Sequence, residues 1–309
     1  MRIEQLLQNP KYTQKRVLEN LICLVLDIKR EQLRLQLEEV LTEVQEQKIL
    51  EYYRQYVEEK RPLDYILGYV EFLNNRFFLD ERSLIPRPET EYMIQAVNEE
   101  VALSSGGFAE GSTTHQDSSL SLGMTENAST ILIDVGTGSG VLGLSVLLHN
   151  PDFFQQAYLL DYSRDALQLA QKNYEHHKEN FSTAVQLQHS DLLTGIVDEN
   201  KINNGDQIIL LANLPYIPDE MFEQNVGDGV KNWEPKMAFV GGDDGLDFYR
   251  RMFQQIFDEK EKKDFDLAMF LEMMTWQVEI LEKEFGEKLS FEEVKTFHFN
   301  IRIVKCVVK

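Results

Sequence analysis

Apolar residues recur at helical spacing along the first part of the chain. They lie three and four positions apart from Leu18 to Val25 and again from Leu33 to Leu41, and such spacing places them on one face of a helix. Glu, Gln, Lys and Arg fill most of the other positions, and these residues favour helices. The pattern predicts a small helical domain over residues 1–73.

Aromatic-rich runs between Tyr69 and Leu79 flank the pair Asn74-Asn75. Asn tolerates positive φ, so a hairpin with these two residues as its turn is predicted. Two prolines further along force an extended approach to the next helix. Residues 74–92 are therefore expected to form a hairpin and linker.

Strand and helix patterns alternate over residues 93–309. The predicted strands are Thr130–Val135, Ala157–Leu160, Ala184–Gln188, Ile208–Ala212, Asp266–Glu272 and, at the end of the chain, Thr296–Ile303 with Val304–Val308. Helices are predicted at Val141–Leu148 and Ser163–His176. This alternation is typical of a doubly wound, Rossmann-like α/β domain. Residues 104–130 are rich in Ser, Thr and Gly and are expected to form a flexible insertion.

The chain is acidic, with 31 Lys and Arg against 52 Asp and Glu and a formal net charge of −21. Binding along a nucleic-acid backbone needs many Lys and Arg to neutralise phosphates, so an extensive nucleic-acid interface is not expected. Residues 1–75 carry 11 Lys and Arg against 13 Asp and Glu, so most of the acidic excess lies in the rest of the chain. This contrast favours a domain boundary near residue 73.

No apolar stretch reaches the roughly 18–20 residues that span a bilayer, so no membrane segment is expected. The N-terminus lacks the pattern of a secretory signal. Cys23 and Cys306 lie far apart and form no metal-type spacing. A reduced, cytoplasmic setting is expected, with no metal site.

Acidic and glycine-rich segments follow three successive predicted strands and form a candidate cofactor site. Asp134 precedes the glycine-rich turn; its charge would repel a pyrophosphate but suits the amino group of S-adenosyl-L-methionine. Asp161 could accept hydrogen bonds from two ribose hydroxyls, Asp191 could accept one from an adenine amino group, and Leu192 could cover the adenine ring. The predicted cofactor-binding residues are Asp134, Gly136, Thr137, Gly138, Ser139, Gly140, Asp161, Asp191, Leu192 and Asn213.

A dinucleotide site is a competing interpretation of the same segment. Gly138 to Gly143 also satisfies G-x-G-x-x-G, and Asp161 lies near the offset expected for NAD. An NAD-dependent dehydrogenase is therefore an alternative. The ordered set of strand-end acids and glycines, followed by Asn213 to Tyr216, favours a methyltransferase that uses S-adenosyl-L-methionine.

The tetrapeptide Asn213-Leu214-Pro215-Tyr216 directly follows the apolar strand that ends at Ala212. The Asn213 side chain and the Leu214 carbonyl offer two acceptors for the hydrogens of a planar –NH2 group, and Pro215 holds Leu214 extended. Tyr216 adds a flat ring. The tetrapeptide resembles the [Asn/Asp/Ser]-Pro-Pro-[Tyr/Phe] signature of methyltransferases that act on amide or exocyclic amine nitrogens, so these four residues are the predicted catalytic set.

Two further segments make the resemblance specific. They are Leu84 to Glu91, with the sequence Leu-Ile-Pro-Arg-Pro-Glu-Thr-Glu, and the block from Trp233 to Leu246. With these segments, the chain resembles the release-factor glutamine methyltransferases (the HemK family) over nearly its whole length. The resemblance implies methylation of the glutamine side-chain amide in the Gly-Gly-Gln motif of peptide-chain release factors, with S-adenosyl-L-methionine as cofactor. It also places Arg87 and Glu89 near the site.

The chain departs from the family pattern at several positions. Leu214 replaces the first proline of the signature, and Leu192 stands where an aromatic residue is common. The Asn-Leu-Pro-Tyr form is similar to that of rRNA adenine dimethylases. An N6-adenine methyltransferase acting on DNA or rRNA is therefore an alternative function, and a catalytically silent binding protein is another.

Overall fold

The computed structural model describes residues 1–104, 129–296 and 300–309. The predicted insertion at 104–130 lies outside the described residues over positions 105–128. Within the described ranges, none of the helices combines the length and the hydropathy that a bilayer crossing requires.

The N-terminal part of the chain is helical. Its helices are α1 (Ile3–Gln8), α2 (Lys15–Leu26), α3 (Arg30–Leu33), α4 (Glu43–Val57) and α5 (Leu63–Leu67). Thr42 caps α4, because its hydroxyl accepts from the Gln45 backbone N–H at 3.2 Å while the Gln45 side chain accepts from the Thr42 N–H at 2.9 Å. The apolar faces of these helices enclose a separate core that includes Leu18, Leu21 and Ile49.

A two-stranded hairpin, β1 (Tyr69–Phe72) and β2 (Asn75–Phe78), follows directly. It begins inside the range 1–73 predicted for the helical domain. The turn predicted at Asn74-Asn75 is wrong by one residue, because the turn consists of Leu73 and Asn74, with φ of 46° and 62°. Asn75 instead pairs with Phe72 in the ladder. Phe72 and Phe77 share a buried face in this register, and Leu73 in the turn packs against the same core. The side-chain amide of Asn75 donates to the Leu73 carbonyl at 3.1 Å.

The C-terminal part confirms the predicted Rossmann-like α/β fold. Its strands are β3 (Thr130–Val135), β4 (Gln156–Asp161), β5 (Ala184–His189), β6 (Gln207–Ala212), β7 (Asp266–Met274), β8 (Leu289–Thr296) and β9 (Ile301–Val308). Its helices are α6 (Glu91–Ser104), α7 (Val141–His149), α8 (Arg164–His177), α9 (Thr194–Val197), α10 (Asp219–Asn225), α11 (Asp228–Trp233), α12 (Asp247–Lys260) and α13 (Thr275–Phe285). Short 3-10 turns occur at Pro88–Thr90, Lys178–Asn180 and Lys236–Ala238.

The sheet has the order β5-β4-β3-β6-β7-β9-β8. The first five strands in this order are parallel, and β9 and β8 are antiparallel to their neighbours. Every residue of β3 and β6 is buried, as expected for strands covered on both faces. The strand order reverses between β3 and β6, which is where ligands bind in folds of this class.

The predicted end of the sheet is wrong in detail. Residues 301–308 form one strand without a break at Val304, and its partner is Leu289–Thr296. The sequence interpretation missed this partner because β8 lies at the edge of the sheet, where an alternating strand with Glu292 and Glu293 looks like a polar connection.

Contacts of the segment before α5 and of the hairpin join the two parts of the molecule. The Trp233 indole N–H donates to the Glu59 carbonyl at 2.9 Å, and the Arg61 guanidinium lies 5.2 Å from the Trp233 ring. Asn173 of α8 exchanges hydrogen bonds with the backbone of Phe78, at 2.6 and 3.0 Å. The hairpin is thus anchored to the α/β domain by buried polar contacts.

A buried ion pair connects α6 with β9. Lys305 Nζ lies 2.6 Å from Glu100 Oε2, and both side chains are nearly inaccessible to solvent. A buried charge that loses its partner destabilises a fold strongly, whereas replacing both partners with apolar groups is often neutral.

We expect Lys305→Met to lower the free energy of unfolding by roughly 3–5 kcal/mol, because Glu100 then stays buried without its partner charge. The double variant Glu100→Leu/Lys305→Met should recover most of that loss. Urea unfolding followed by circular dichroism measures both values. A double variant as unstable as the single one would contradict this account of the pair.

Candidate active site

Four strand ends meet at one cleft. The carboxyl ends of β3, β4, β5 and β6 share an edge of the sheet because these strands are parallel. A cavity of about 690 Å³ lies at this edge, which is within the size range of small-molecule sites. Linker residues 81–84 and the side chains of Phe248 and Arg251 on α12 form the opposite wall.

The cavity brings together eight of the thirteen residues predicted for the site. They are Gly136, Gly138, Asp161, Asp191, Leu192, Asn213, Leu214 and Pro215. The remaining five do not line it: Asp134, Thr137, Ser139, Gly140 and Tyr216.

Asp134 supports the glycine-rich loop from the side facing the core. Its Oδ2 accepts from the Thr137 hydroxyl at 2.6 Å and from the Gly143 backbone N–H at 2.9 Å. A Cβ at Gly143 would stand 2.8 Å from that oxygen, so this approach requires glycine. The carboxylate is 1% exposed. The structure therefore shows Asp134 holding the loop, and its predicted contact with a ligand amino group stays a prediction.

Asp161 connects the loop to the next strand end and also faces the cavity. Its Oδ2 accepts from the Gly138 N–H at 2.8 Å, and its Oδ1 accepts from the Ser163 N–H at 2.7 Å. Burial raises the pKa of Asp161, and these backbone hydrogen bonds oppose the rise. Each carboxylate oxygen has a second lone pair, so Asp161 can accept further hydrogen bonds from a ligand in the cavity.

The turn after β5 is shaped by Ser190. Its hydroxyl donates to the Leu192 carbonyl at 2.6 Å and accepts from the Gly195 N–H at 2.9 Å. Leu192 adopts a φ of 55°, a conformation that costs a non-glycine residue about 1–3 kcal/mol. The neighbouring Asp191 forms an ion pair with Arg251 of α12. An adenine amino group at Asp191 would share the carboxylate with Arg251.

The tetrapeptide after β6 presents two acceptors without protein partners. Asn213 donates through Nδ2 to the Thr90 hydroxyl at 3.3 Å. Within the described residues, neither Asn213 Oδ1 nor the Leu214 carbonyl accepts a hydrogen bond. Both residues line the cavity. Two adjacent acceptors of this kind match the two hydrogens of a planar –NH2 group.

Two glycines of the Trp233–Leu246 block pack against the tetrapeptide backbone. A Cβ at Gly241 would lie 2.3 Å from the Pro215 carbonyl oxygen, and one at Gly245 would lie 2.1 Å from the Tyr216 carbonyl oxygen. Any side chain at either position would displace the tetrapeptide. The Gln277 amide, which is fully buried, also donates to the Tyr216 carbonyl at 2.7 Å.

Tyr216 is partly buried, and the expected place of its ring beside the substrate stays a prediction. Its hydroxyl donates to Glu272 Oε1 at 2.9 Å, and its ring packs against the core on that face of the sheet. Burial raises the pKa of Tyr216 well above its ordinary value. Glu272 is 2% exposed and also accepts from the Thr90 hydroxyl at 3.0 Å.

The sequence analysis missed Thr90, Glu272 and Gln277 as site residues. Thr90 lies in the Pro-Arg-Pro-Glu-Thr-Glu segment, Glu272 lies in the last parallel strand and Gln277 follows that strand. Only tertiary contacts connect them to Asn213 and Tyr216. Arg87 forms an ion pair at 2.8 Å with Glu234, whose side chain is 1% exposed. The linker is therefore held against the Trp233–Leu246 block.

Among the residues that the structure describes, no group of three or more His, Cys, Asp or Glu side chains is arranged to hold a metal ion.

The burial of Asp134 generates a pH prediction. Burial is the main cause that raises the pKa of Asp134 from 3.8 to about 6. Below about pH 4 the carboxyl is protonated in both the folded and the unfolded chain, so the fold keeps its full stability. As the pH rises through 6, ionisation of the buried carboxyl lowers the free energy of unfolding. One pKa unit corresponds to about 1.4 kcal/mol.

We expect Asp134→Asn, which keeps the oxygen acceptor but cannot ionise, to become more stable relative to the wild type by up to about 3 kcal/mol between pH 4 and pH 7. Urea unfolding at unit pH steps measures this difference. Asp152→Asn at an exposed position is the control. A difference that stays constant over this pH range would contradict the assignment of the shift to Asp134.

Comparisons with known proteins agree with this architecture. The family profile described as PrmC N-terminal domain matches residues 3–68, and the one described as Methyltransferase small domain matches residues 100–216. The release factor glutamine methyltransferase of Bacillus cereus is 32% identical over 246 residues, which are 79% of this chain and 75% of the relative. The enzyme of the same name from Streptococcus pneumoniae is 30% identical over 84% of this chain and 78% of its own length.

A third relative, from Clostridium acetobutylicum, carries the same name and is 32% identical over 68% of this chain and 63% of its own length. Since these similarities extend over both the helical N-terminal part and the α/β domain, the chain belongs to the family of release factor glutamine methyltransferases.

Proposed function

We propose that this chain transfers a methyl group from S-adenosyl-L-methionine to the side-chain amide nitrogen of the glutamine in the Gly-Gly-Gln motif of peptide-chain release factors. Membership of the family supports this activity. The observation that carries it is a pair of acceptors on two cavity-lining residues, Asn213 Oδ1 and the Leu214 carbonyl, which accept no hydrogen bond from the part of the chain that the structure describes. An amide –NH2 is the group that this pair would hold.

The other end of the cavity suits the cofactor. Asp161 offers carboxylate lone pairs where two ribose hydroxyls could donate, and Gly138 allows the loop backbone to approach a ligand closely. Asp191 and Leu192 would contact the adenine, with the Asp191 carboxylate shared with Arg251. The aliphatic Leu192 covers a ring by dispersion contact alone, in place of aromatic stacking.

The site residues address the main chemical difficulty of the reaction. An amide nitrogen is a weak nucleophile because its lone pair is delocalised into the carbonyl. The bound cofactor supplies a methyl group on a positively charged sulfur. Asn213 and Leu214 would accept the two amide hydrogens and so favour the pyramidal nitrogen that attacks the methyl carbon. Positioning of this kind contributes several kcal/mol, and preorganised dipoles add stabilisation where charge develops.

We assign substrate recognition to the N-terminal helical domain. It is nearly neutral, whereas the rest of the chain is strongly acidic. The cavity lining starts at Glu81, beyond the last helix of this domain. The domain is connected to the Trp233–Leu246 block through Trp233 and Glu59. A release factor could therefore contact the helical domain while its glutamine enters the cavity.

An N6-adenine methyltransferase is not favoured. Adenine also presents a planar –NH2, so the acceptor pair alone does not distinguish it from glutamine. The net charge of −21 opposes binding along a nucleic-acid backbone. The relatives that match most of this chain are release factor glutamine methyltransferases.

For the cofactor, we expect Asp161→Ala to weaken binding of S-adenosyl-L-homocysteine by at least about 10-fold, since a hydrogen bond to a charged group is worth roughly 1.5–3 kcal/mol. Isothermal titration calorimetry measures the affinity. Asp152→Ala at an exposed position should bind as the wild type does. Unchanged affinity of a folded Asp161→Ala protein would exclude the ribose assignment.

For the transfer step, we expect Asn213→Ala to lower kcat by roughly 10²–10³, the scale of losing one preorganised hydrogen-bonding partner. Transfer of tritiated methyl groups to a purified release factor measures kcat, and the affinity for S-adenosyl-L-homocysteine should change only a few-fold. Asn225→Ala on the exposed end of α10 is the control. Full activity of Asn213→Ala would mean that the tetrapeptide is only a strand ending.

A further inference from the structure

Glu272 is a buried carboxylate, and in the described part of the chain it forms no ion pair. It receives the Tyr216 hydroxyl on Oε1 at 2.9 Å and the Thr90 hydroxyl on Oε2 at 3.0 Å. The Tyr249 hydroxyl donates to its backbone carbonyl. Burying a carboxylate costs free energy unless it is hydrogen-bonded, and the hydrogen bonds that offset this cost also fix the orientation of the groups that donate them. The group that these hydrogen bonds can order is the Asn213 side chain, which contacts Thr90 and lies close to the carboxylate itself.

Thr90 connects Glu272 to Asn213. A threonine hydroxyl has one proton to donate and two lone pairs that accept. Both carboxyl oxygens of Glu272 act as acceptors, Oε1 for Tyr216 and Oε2 for Thr90, so the proton of Thr90 is committed to Glu272. The hydroxyl oxygen can then only accept from the Asn213 side chain, which lies 3.3 Å away through Nδ2.

This chain of hydrogen bonds selects one of two orientations of the Asn213 amide. With Nδ2 donating to Thr90, Oδ1 points elsewhere, and Asn213 lines the cavity. Rotation of the amide by 180° would place an oxygen against the Thr90 oxygen, which has no proton left for it. The rotated amide would also present N–H groups to the substrate –NH2 instead of an acceptor.

Burial and hydrogen bonding act on the pKa of Glu272 in opposite directions. Burial raises the pKa of Glu272, the nearby carboxylate of Glu89 raises it further, and hydrogen bonds from Tyr216, Thr90 and Asn213 lower it. The Asn213 amide therefore takes part in this network as a hydrogen-bond donor, through Nδ2.

We propose that Thr90 and Glu272 are positioning residues that fix the orientation of the Asn213 amide, so that the site presents acceptors to the substrate. The inference rests on the proposed function, since it explains how the site selects an amide nitrogen. It also explains why a hydroxyl side chain is needed at position 90, in the linker, to support a residue that follows β6.

The test compares Thr90→Val, which removes the hydroxyl, with Thr90→Ser, which keeps it. We expect Thr90→Val to lower kcat for methyl transfer to a release factor by roughly 10- to 100-fold, the cost of a mispositioned catalytic group. Thr90→Ser should retain kcat within about threefold of the wild type on the same reasoning. The affinity for S-adenosyl-L-homocysteine should be unchanged in both variants.

A double-mutant cycle separates positioning from a general structural effect. If Thr90 acts through Asn213, then Thr90→Val added to Asn213→Ala should cause no further loss of kcat. The matched control is Thr130→Val. Thr130 is as buried as Thr90 and its hydroxyl is also hydrogen-bonded, but it lies at the opposite end of β3. This control should keep its kcat whatever its stability.

Several outcomes would overturn the inference. The first is full activity of Thr90→Val. The second is a loss of kcat from Thr90→Val that is as large in the Asn213→Ala background as in the wild type. The third is a loss of kcat in Thr90→Ser as large as in Thr90→Val. If Thr90→Val does not fold, Glu272→Gln carries the same test, because its amide can donate to Thr90 and release the Thr90 proton toward Asn213. A wild type that transfers no methyl group to release factor would refute the proposed function itself. An active wild type together with a fully active Thr90→Val variant would refute only the role of Thr90.

Discussion

Parallel pairing of β3 with β4 and β6 is the constraint on which the site depends. The register sets Val135 beside both Leu160 and Ala212, so the three strands end at the same level. The polar groups that follow these three parallel strands therefore lie at one edge of the sheet. The hydrophobic burial of these strands holds the edge in place, and the catalytic groups themselves need to contribute little to stability.

The second constraint is close backbone packing around the tetrapeptide. Gly241 and Gly245 approach the carbonyls of Pro215 and Tyr216 more closely than any side chain would permit. Gln277 donates to the Tyr216 carbonyl from the other side. The backbone after β6 is therefore enclosed, which compensates for the φ restriction that proline at position 214 would have provided. Leu214 can replace that proline because its surroundings hold the conformation.

Buried carboxylates recur around the cavity, and each organises a backbone or a side chain. Asp134 holds the glycine loop, Glu234 holds the linker through the Ile85 N–H and Arg87, and Glu272 holds Thr90 and Tyr216. Burying a charge is costly unless it is fully hydrogen-bonded. The domain accepts this cost at three positions that surround one cavity, which is where rigid orientation of donors and acceptors matters most.

The sequence by itself determined the class of fold, the family and the segments that form the cavity. Local sequence patterns can be recognised without knowledge of tertiary contacts. The buried strands, the glycine-rich turn and Asn213 to Tyr216 are patterns of this kind. The structure alone decided the direction in which each side chain points. The Tyr216 hydroxyl donates a hydrogen bond to a buried carboxylate that lies 56 residues later in the chain. The hairpin turn lies at Leu73 and Asn74, where Leu73 packs against the core although its φ is positive. Orientation depends on partners that are distant in sequence, so it follows from packing and hydrogen bonding in the folded chain and not from the order of residues.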